Sequence, residues 1–300
     1  MPVVGFLNSG SADVYPDRIV AFRAGLNEVG YIEGRNITVE YRWGLGQYDR
    51  LPAMAAELVQ WPVSVLVATG GEPAALAAKA ATSSVPIVFA IGGDPVNLGL
   101  VANYNRPGGN ATGVTILTST LEAKRLGLLR EMVPQAATIG ALLNPNSPSY
   151  DSQLRDLQDA ARAIGLPLHA LRANTDEDIE AAFETASQQR VGALTVTAAP
   201  FFDTRRDRIV SLAARYTLPA VYQFREFAKA GGLMTYGVYI PDIYRQVGVY
   251  TGRILKGDKA ADLPVVQPTK FELVINLKTA KSLGVKISDN LLSLADEVIE

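Results

Sequence analysis

Short, β-branched apolar runs alternate with helical patterns almost throughout this chain, and midway the rhythm starts again. Residues 3–7 read as a strand, followed by a helix with Ile19, Phe22, Leu26 and Val29 on one stripe. A strand over 37–41 leads to a helix over about 49–60. A strand over 63–68 leads to an alanine-rich helix over 72–81, and 87–91 is a fourth strand. Strands separated by helix-length segments cannot pair as hairpins, so the pattern predicts a parallel sheet with helices on both faces.

The second round begins with a helix around 120–133 and a strand over 138–143. A helix with Leu154, Leu157, Ala161 and Ile164 at spacings of three and four precedes a strand at 167–171. Thr175 reads as the N-cap of a helix to about Gln189, before a strand at 193–197. Asp203 or Thr204 opens a helix that presents Ile209, Leu212, Ala213 and Tyr216 inward, ahead of a strand at 219–222. Further strands at 233–236, 263–268 and 271–275, with a helix carrying Ile243, Val247, Tyr250 and Ile254 and a C-terminal helix pair, are too few for a third domain. They are read as completing the first two. No Gly/Ser or Pro-rich tether separates the halves, so the expectation is two doubly wound α/β lobes joined by a hinge that the chain crosses more than once.

Composition narrows the chemistry. The 300 residues are 48% hydrophobic and 19% charged, which excludes a disordered chain. With 28 basic against 30 acidic residues there is no global positive field for nucleic acid. No uninterrupted apolar stretch is long enough to span a bilayer. There is no cysteine, so disulfides, thiolate catalysis and Cys-based zinc sites are excluded. His169 is the sole histidine and lies in an apolar run, where it reads as structural rather than as part of a Ser-His-Asp triad. Neither nucleotide-binding glycine motif has its required spacing. Carboxylates form no recognisable acid–base pair, and no cofactor is expected.

In an open parallel sheet, ligands meet the loops beyond the strands' carboxyl ends. Here those loops are Asn8-Ser9-Gly10-Ser11, Thr69-Gly70-Gly71-Glu72-Pro73 and Gly92-Gly93-Asp94-Pro95 in the first half. In the second half they begin at Asn144, Thr197 and Gln223, and include Tyr150, Phe201, Phe202 and Glu226. Gly, Ser, Asp and Pro also make ordinary turns, but a whole edge of such loops points to a ligand. Aromatic residues crowd the span 197–239. Phe201 and Phe202 are expected in a loop at a strand end, where a ring needs a cover. An apolar ligand and packing of one lobe on the other are both open as that cover.

Several segments resemble one family closely: Gly5-Phe6-Leu7-Asn8-Ser9-Gly10, Arg106-Pro107-Gly108-Gly109-Asn110-Ala111-Thr112 and Lys270-Phe271-Glu272-Leu273-Val274-Ile275-Asn276 among them. They resemble the solute-binding components of ABC importers related to the tryptophan- and tyrosine-binding proteins, and the resemblance runs through essentially the whole chain. It implies a type I periplasmic-binding fold, with lobes at 1–116 plus 236–264 and at 117–235 plus 265–300, and crossings near 115–118, 234–238 and 263–270. It also implies a non-catalytic, monomeric, periplasmic protein, with Met1 following a removed signal sequence. Its partners would be a small solute and a membrane permease with its ATPase, without nucleic acid.

Within that resemblance, an aromatic amino acid or related carboxylate is the best-supported solute. Ser9, Ser11, Thr69, Gly70 and Gly71 are expected to supply donors for its carboxylate. Asp94 or Glu226 would accept from its ammonium, Tyr150, Phe201, Phe202, Tyr222 and Tyr236 would line the slot, and Asn144 would join the set. A cytoplasmic ligand-sensing domain and a two-domain α/β enzyme using the same cleft stand as alternatives.

Overall fold

The computed structural model describes residues 1–117 and 121–300. In chain order the elements are β1 Val3–Asn8, α1 Pro16–Glu28, β2 Thr38–Trp43, α2 Leu51–Gln60, β3 Val63–Thr69, α3 Glu72–Ala81, β4 Ile87–Ile91, β5 Ala111–Thr115, α4 Glu122–Met132, β6 Ile139–Leu143, α5 Tyr150–Ala163, β7 Leu168–Arg172, α6 Asp176–Gln188 and β8 Ala193–Val196. They continue with α7 Pro200–Asp203, α8 Arg206–Arg215, β9 Ala220–Tyr222, α9 Arg225–Lys229, β10 Met234–Val238, α10 Ile240–Leu255, β11 Phe271–Asn276, α11 Leu277–Ser282, α12 Asp289–Leu294 and β12 Glu297–Ile299.

The chain forms two compact α/β units: Met1–Leu117 with Ile240–Thr269, and Thr118–Tyr239 with Lys270–Glu300. Against the expected lobes, 236–239 belongs to the second unit, and 117 and 265–269 to the first. The cause is strand integrity. Tyr236 lies inside β10, which pairs along its whole length with β11 of the second sheet. Val266 instead bridges to Val114 on β5. The expected crossing at 115–118 ends on Thr118, and the expected helix around 120–133 begins on Thr120. Both residues lie outside the described set.

Unit 1 holds a five-stranded sheet in the order β2-β1-β3-β4-β5, with every pairing parallel. One face carries Leu7, Leu66, Ala68 and Phe89 under Leu51, Ala55 and Leu58 of α2 and the alanines of α3, all buried. Alanine along α3 lets that helix lie close on the strands. Phe6, Phe22 and Leu26 are likewise buried, the Phe6 and Phe22 rings meeting edge-to-face at 5.1 Å. Helix α1 packs against α10 through Gly25 and Gly248. A β-carbon on Gly25 would fall 1.9 Å from the Arg245 carbonyl, and one on Gly248 would fall 2.2 Å from that of Phe22.

Unit 2 holds a seven-stranded sheet in the order β12-β11-β10-β9-β8-β6-β7. Its core joins Leu126, Leu129 and Met132 of α4 and Leu157 and Ala161 of α5 to Ile139, Ala141, Val221, Met234 and Ile275. This sheet departs from the all-parallel expectation, because β10 and β11 run antiparallel. The chain re-enters the unit at Lys270 beside the end of β10, so β11 begins at the edge where β10 finishes.

The expected strand at 263–268 does not form beyond the single bridge at Val266. Pro264 and Pro268 flank it and cannot donate to a ladder. Conversely, β5 and β12 form where the sequence shows little strand signal, since Ala111-Thr112-Gly113 has few bulky β-formers. His169 sits on β7, an edge strand, partly exposed.

Candidate functional site

The carboxyl edge of unit 1 is organised by one buried side chain. Asn8, the last residue of β1, donates from Nδ2 to Thr69 Oγ1 at 2.9 Å and to the Tyr244 hydroxyl at 3.2 Å. Its Oδ1 accepts from the Gly10 amide at 2.7 Å. Its own carbonyl accepts from Gly44 N at 2.7 Å, so the loop after β2 is tied down as well. Three strand-end loops therefore share one hub. Sequence reading placed Asn8 in the loop but missed its role, because the partners are remote in sequence.

Around that hub lie the predicted donors. Thr69 and Ser9 are fully buried, and the Ser9 hydroxyl has no hydrogen-bond partner among the described residues. Ser11 is partly exposed. Gly70 has φ +78, and a β-carbon there would meet Asn8 Oδ1 at 2.6 Å, so only glycine lets this loop close on β1. Gly71, with φ 95, is the N-cap of α3 and provides no side-chain cap, leaving first-turn amides to other acceptors.

The neighbouring loop Gly44-Leu45-Gly46-Gln47 closes with Gln47 N donating to the Gly44 carbonyl at 2.9 Å. Leu45 at φ 56 and Gly46 at φ 77 make it a turn with two left-handed residues. Leu45 N and Gly46 N donate to the carbonyls of Gly10 and Ser9.

Asp94 is used differently from expectation. Its Oδ1 accepts from Val96 N at 2.8 Å and Asn97 N at 3.2 Å, which makes it a turn-former. Burial and the adjacent Asp94 carboxylate hold the Tyr104 hydroxyl above its ordinary pKa. A carboxylate so committed is poorly placed to serve a solute ammonium.

At the carboxyl edge of unit 2, Asn144 Oδ1 accepts from Asn146 N at 2.9 Å, an Asx turn that aims the chain into α5. Tyr150 opens that helix, packs against the unit's core and lies beneath Arg172, whose guanidinium carbon is 5.8 Å from the ring centre. Phe201 and Phe202 are not in a loop. Pro200 starts the one-turn helix α7, and both rings are buried, edge-to-face at 5.5 Å. The Arg205 guanidinium covers Phe201 at 4.2 Å. Arg205 thus supplies part of the cover that a ring at a strand end needs.

Two predicted lining residues are elsewhere. Tyr222 is fully buried and stacks on Phe227 at 4.8 Å, and burial raises its hydroxyl pKa well above normal. It is a core residue because the last position of β9 faces α9 rather than the strand-end loop. Tyr236 lies within β10 and stacks on Phe271 at 6.4 Å. Its carbonyl accepts from the buried Arg125, which pairs with Glu122 at 2.6 Å.

Glu226 sits in the first turn of α9 in a charged group with Arg225, Glu272 and Glu297. Arg225 bridges Glu272 at 3.2 Å and also contacts Glu297. Burial above all, opposed by Arg225 and reinforced by Glu226, Glu297 and Asp296, pushes the Glu272 carboxyl up to about 7.

Sequence reading also missed Gln153 and Gln223. Gln153 Nε2 donates to the Ala198 carbonyl at 3.0 Å, and Gln223 Nε2 to Asp203 Oδ1 at 2.9 Å. Both side chains are buried. No motif marks them, since each amide matters only through the segment after β8 that both bind.

At the opposite edge of unit 1, a groove of ≈ 620 Å³ is lined by Pro2, Ser64, Pro86, Asn110, Asp258 and Lys259, among others. None of the residues expected to contact the solute lines it, although Gly109 and Asn110 of the Arg106–Thr112 segment do. Among the described residues, no group of His, Cys, Asp or Glu is placed to hold a metal ion.

Comparison with known proteins bears on this geometry. The family described as ABC transporter substrate binding protein matches residues 11–299. A tyrosine-binding protein of Clostridioides difficile is 24% identical over 88% of this chain and 76% of its own. A Streptococcus pneumonia ABC domain solved with L-Trp superposes with a TM-score of 0.91 at 25% identity, covering 99% of each chain. A conserved domain protein of Vibrio cholerae superposes at 0.92 with 24% identity, also over 99% of each.

Proposed function

Since the chain belongs to the ABC transporter substrate-binding protein family, we propose that it is the extracytoplasmic receptor of an importer that captures an aromatic amino acid. In this reading the protein works as a monomer in the periplasm, binds its solute at strand-end loops, and hands it to a permease driven by an ATPase. The matched family is one of substrate-binding proteins and one relative is a tyrosine-binding protein; on this reading the solute is released unaltered.

The observation that carries the reading is the polar edge of unit 1. There the unpaired Ser9 hydroxyl stands beside Gly70 and the uncapped start of α3, anchored through Asn8 and Thr69. Hydroxyl and amide donors at a helix start suit a carboxylate. The named ligands of two relatives, tyrosine and L-Trp, supply the rest of the class.

Magnitudes permit it. A charge-assisted hydrogen bond contributes about 1.5–3 kcal/mol and a buried apolar side chain about 1.5–3 kcal/mol. After ordering costs, two or three such contacts reach the roughly 8 kcal/mol of a micromolar complex.

Calorimetric titration of refolded, ligand-stripped protein with the twenty amino acids tests the proposal. Saturable binding of tryptophan, tyrosine or phenylalanine at micromolar concentration or tighter, weakened by Ser9→Ala, is expected. A folded protein that ignores all three aromatic amino acids would refute it, as would recovery of the solute in altered form.

A further inference from the structure

The second unit holds buried acceptors that its own donors leave unused. Gln153 and Gln223 are 2% and 1% exposed. Their amide nitrogens face the Ala198 carbonyl and the Asp203 carboxylate, groups that only accept, so the orientation of both carboxamides is set. Each Oε1 is consequently turned away from those partners, and neither has a hydrogen bond among the described residues. The Tyr150 hydroxyl is in the same condition.

These groups share one place in the fold. Helix α5 leaves β6, and Gln223 directly follows β9. Ala198 and Asp203 follow β8, the strand lying between those two. Tyr150 and Gln153 are three residues apart on α5 and so share a face of that helix.

We propose that this cluster is the subsite for the solute's ammonium group, with the Gln153 and Gln223 carboxamide oxygens as direct acceptors and Asp203 as the charge behind them. The inference rests on the amino-acid reading above and deepens it. An ammonium brings three donors and a positive charge. An indole or phenol brings a single donor, which does not match the number of acceptors. Shielding from water strengthens each such bond. The assignment replaces Asp94, whose oxygen is bound within its own turn.

Gln→Met keeps the length and shape of the side chain and removes the oxygen. Gln153→Met and Gln223→Met are each titrated, beside the wild type, with tryptophan and tyrosine. They are then titrated with the same molecules lacking the ammonium, 3-(indol-3-yl)propanoate and 3-(4-hydroxyphenyl)propanoate.

The expected result is a loss of about 10- to 100-fold in affinity for the amino acids. Affinity for the deaminated acids should stay within about twofold of the wild type, since they lack the group concerned. Equal losses for both ligand types mean that the glutamines only support the fold and overturn the inference, as does unchanged amino-acid binding in both variants. Should one variant fail to fold by circular dichroism, the other decides. A wild type that binds the deaminated acids as tightly as the amino acids overturns the ammonium subsite but keeps the aromatic class. A wild type that binds no amine-bearing solute removes both readings, and its titration alone reveals this.

Discussion

In unit 1 the strand-end loops are cross-linked through Asn8, whose amide serves Thr69, Tyr244 and Gly10 at once. In unit 2 the corresponding edge hangs on Gln153 and Gln223, which each spend their donor on the segment after β8 and keep an acceptor unused. The sheets differ in the same sense: the first is wholly parallel, whereas the second takes in the antiparallel β11 and carries its buried charges nearby. A closed network gives rigidity, and an unused polar atom gives capacity for a ligand; unit 1 combines the two, since the Ser9 hydroxyl beside the Asn8 hub has no partner among the described residues.

Removing buried charge balance from unit 2 should break this contrast most severely. Arg125 and Glu122 are both fully buried, and Glu122 has its pKa raised by burial against the opposing pull of Arg125. Arg125→Met should cost about 3–5 kcal/mol, read as a lowered urea midpoint, because it strands a buried carboxyl. The double variant with Glu122→Gln should recover part of that loss.

Next comes the hub of unit 1. Asn8→Ala leaves Thr69, Tyr244 and the Gly10 amide without their common partner and should cost about 2–3 kcal/mol in the same assay.

A pH series sharpens the comparison further. The folded Glu272 carboxyl titrates near 7, above the ordinary 4.5. The folded state therefore binds this proton more tightly than the unfolded chain does, and the associated stability is complete below pH 4.5 and lost as pH rises through 7. With part of the interaction screened by solvent, unfolding free energy should fall by about 2 kcal/mol from this group between pH 4.5 and 8. Glu272→Gln should flatten that slope.

The smallest effect belongs to Leu45. A leucine at φ 56 occupies a conformation that asparagine tolerates better. Leu45→Asn should raise the melting temperature slightly, by about 0.5 kcal/mol in stability.

Much of this architecture was legible because its signals are local. The spacing of Ile19, Phe22 and Leu26 on α1 and the Thr175 cap of α6, observed as a full capping box, are properties of neighbouring residues. The loops holding Ser9, Thr69 and Asn144 were likewise legible as strand ends. What failed was non-local. Tyr222 reads like a strand-end aromatic until Phe227 is seen stacked on it, and Phe201 reads like a loop residue until the turn of α7 is seen to hold it. Asp94 looks like a free carboxylate until its amide donors are placed.

The order of residues by itself determined that two parallel-type α/β units would form, and which loops would end their strands, because hydrophobic period and capping act within a few residues. Only the folded chain decided which polar atoms in those loops are spoken for. Hydrogen-bond saturation depends on partners such as Tyr244 and Asn8, 236 residues apart, and no local pattern encodes a meeting over that distance.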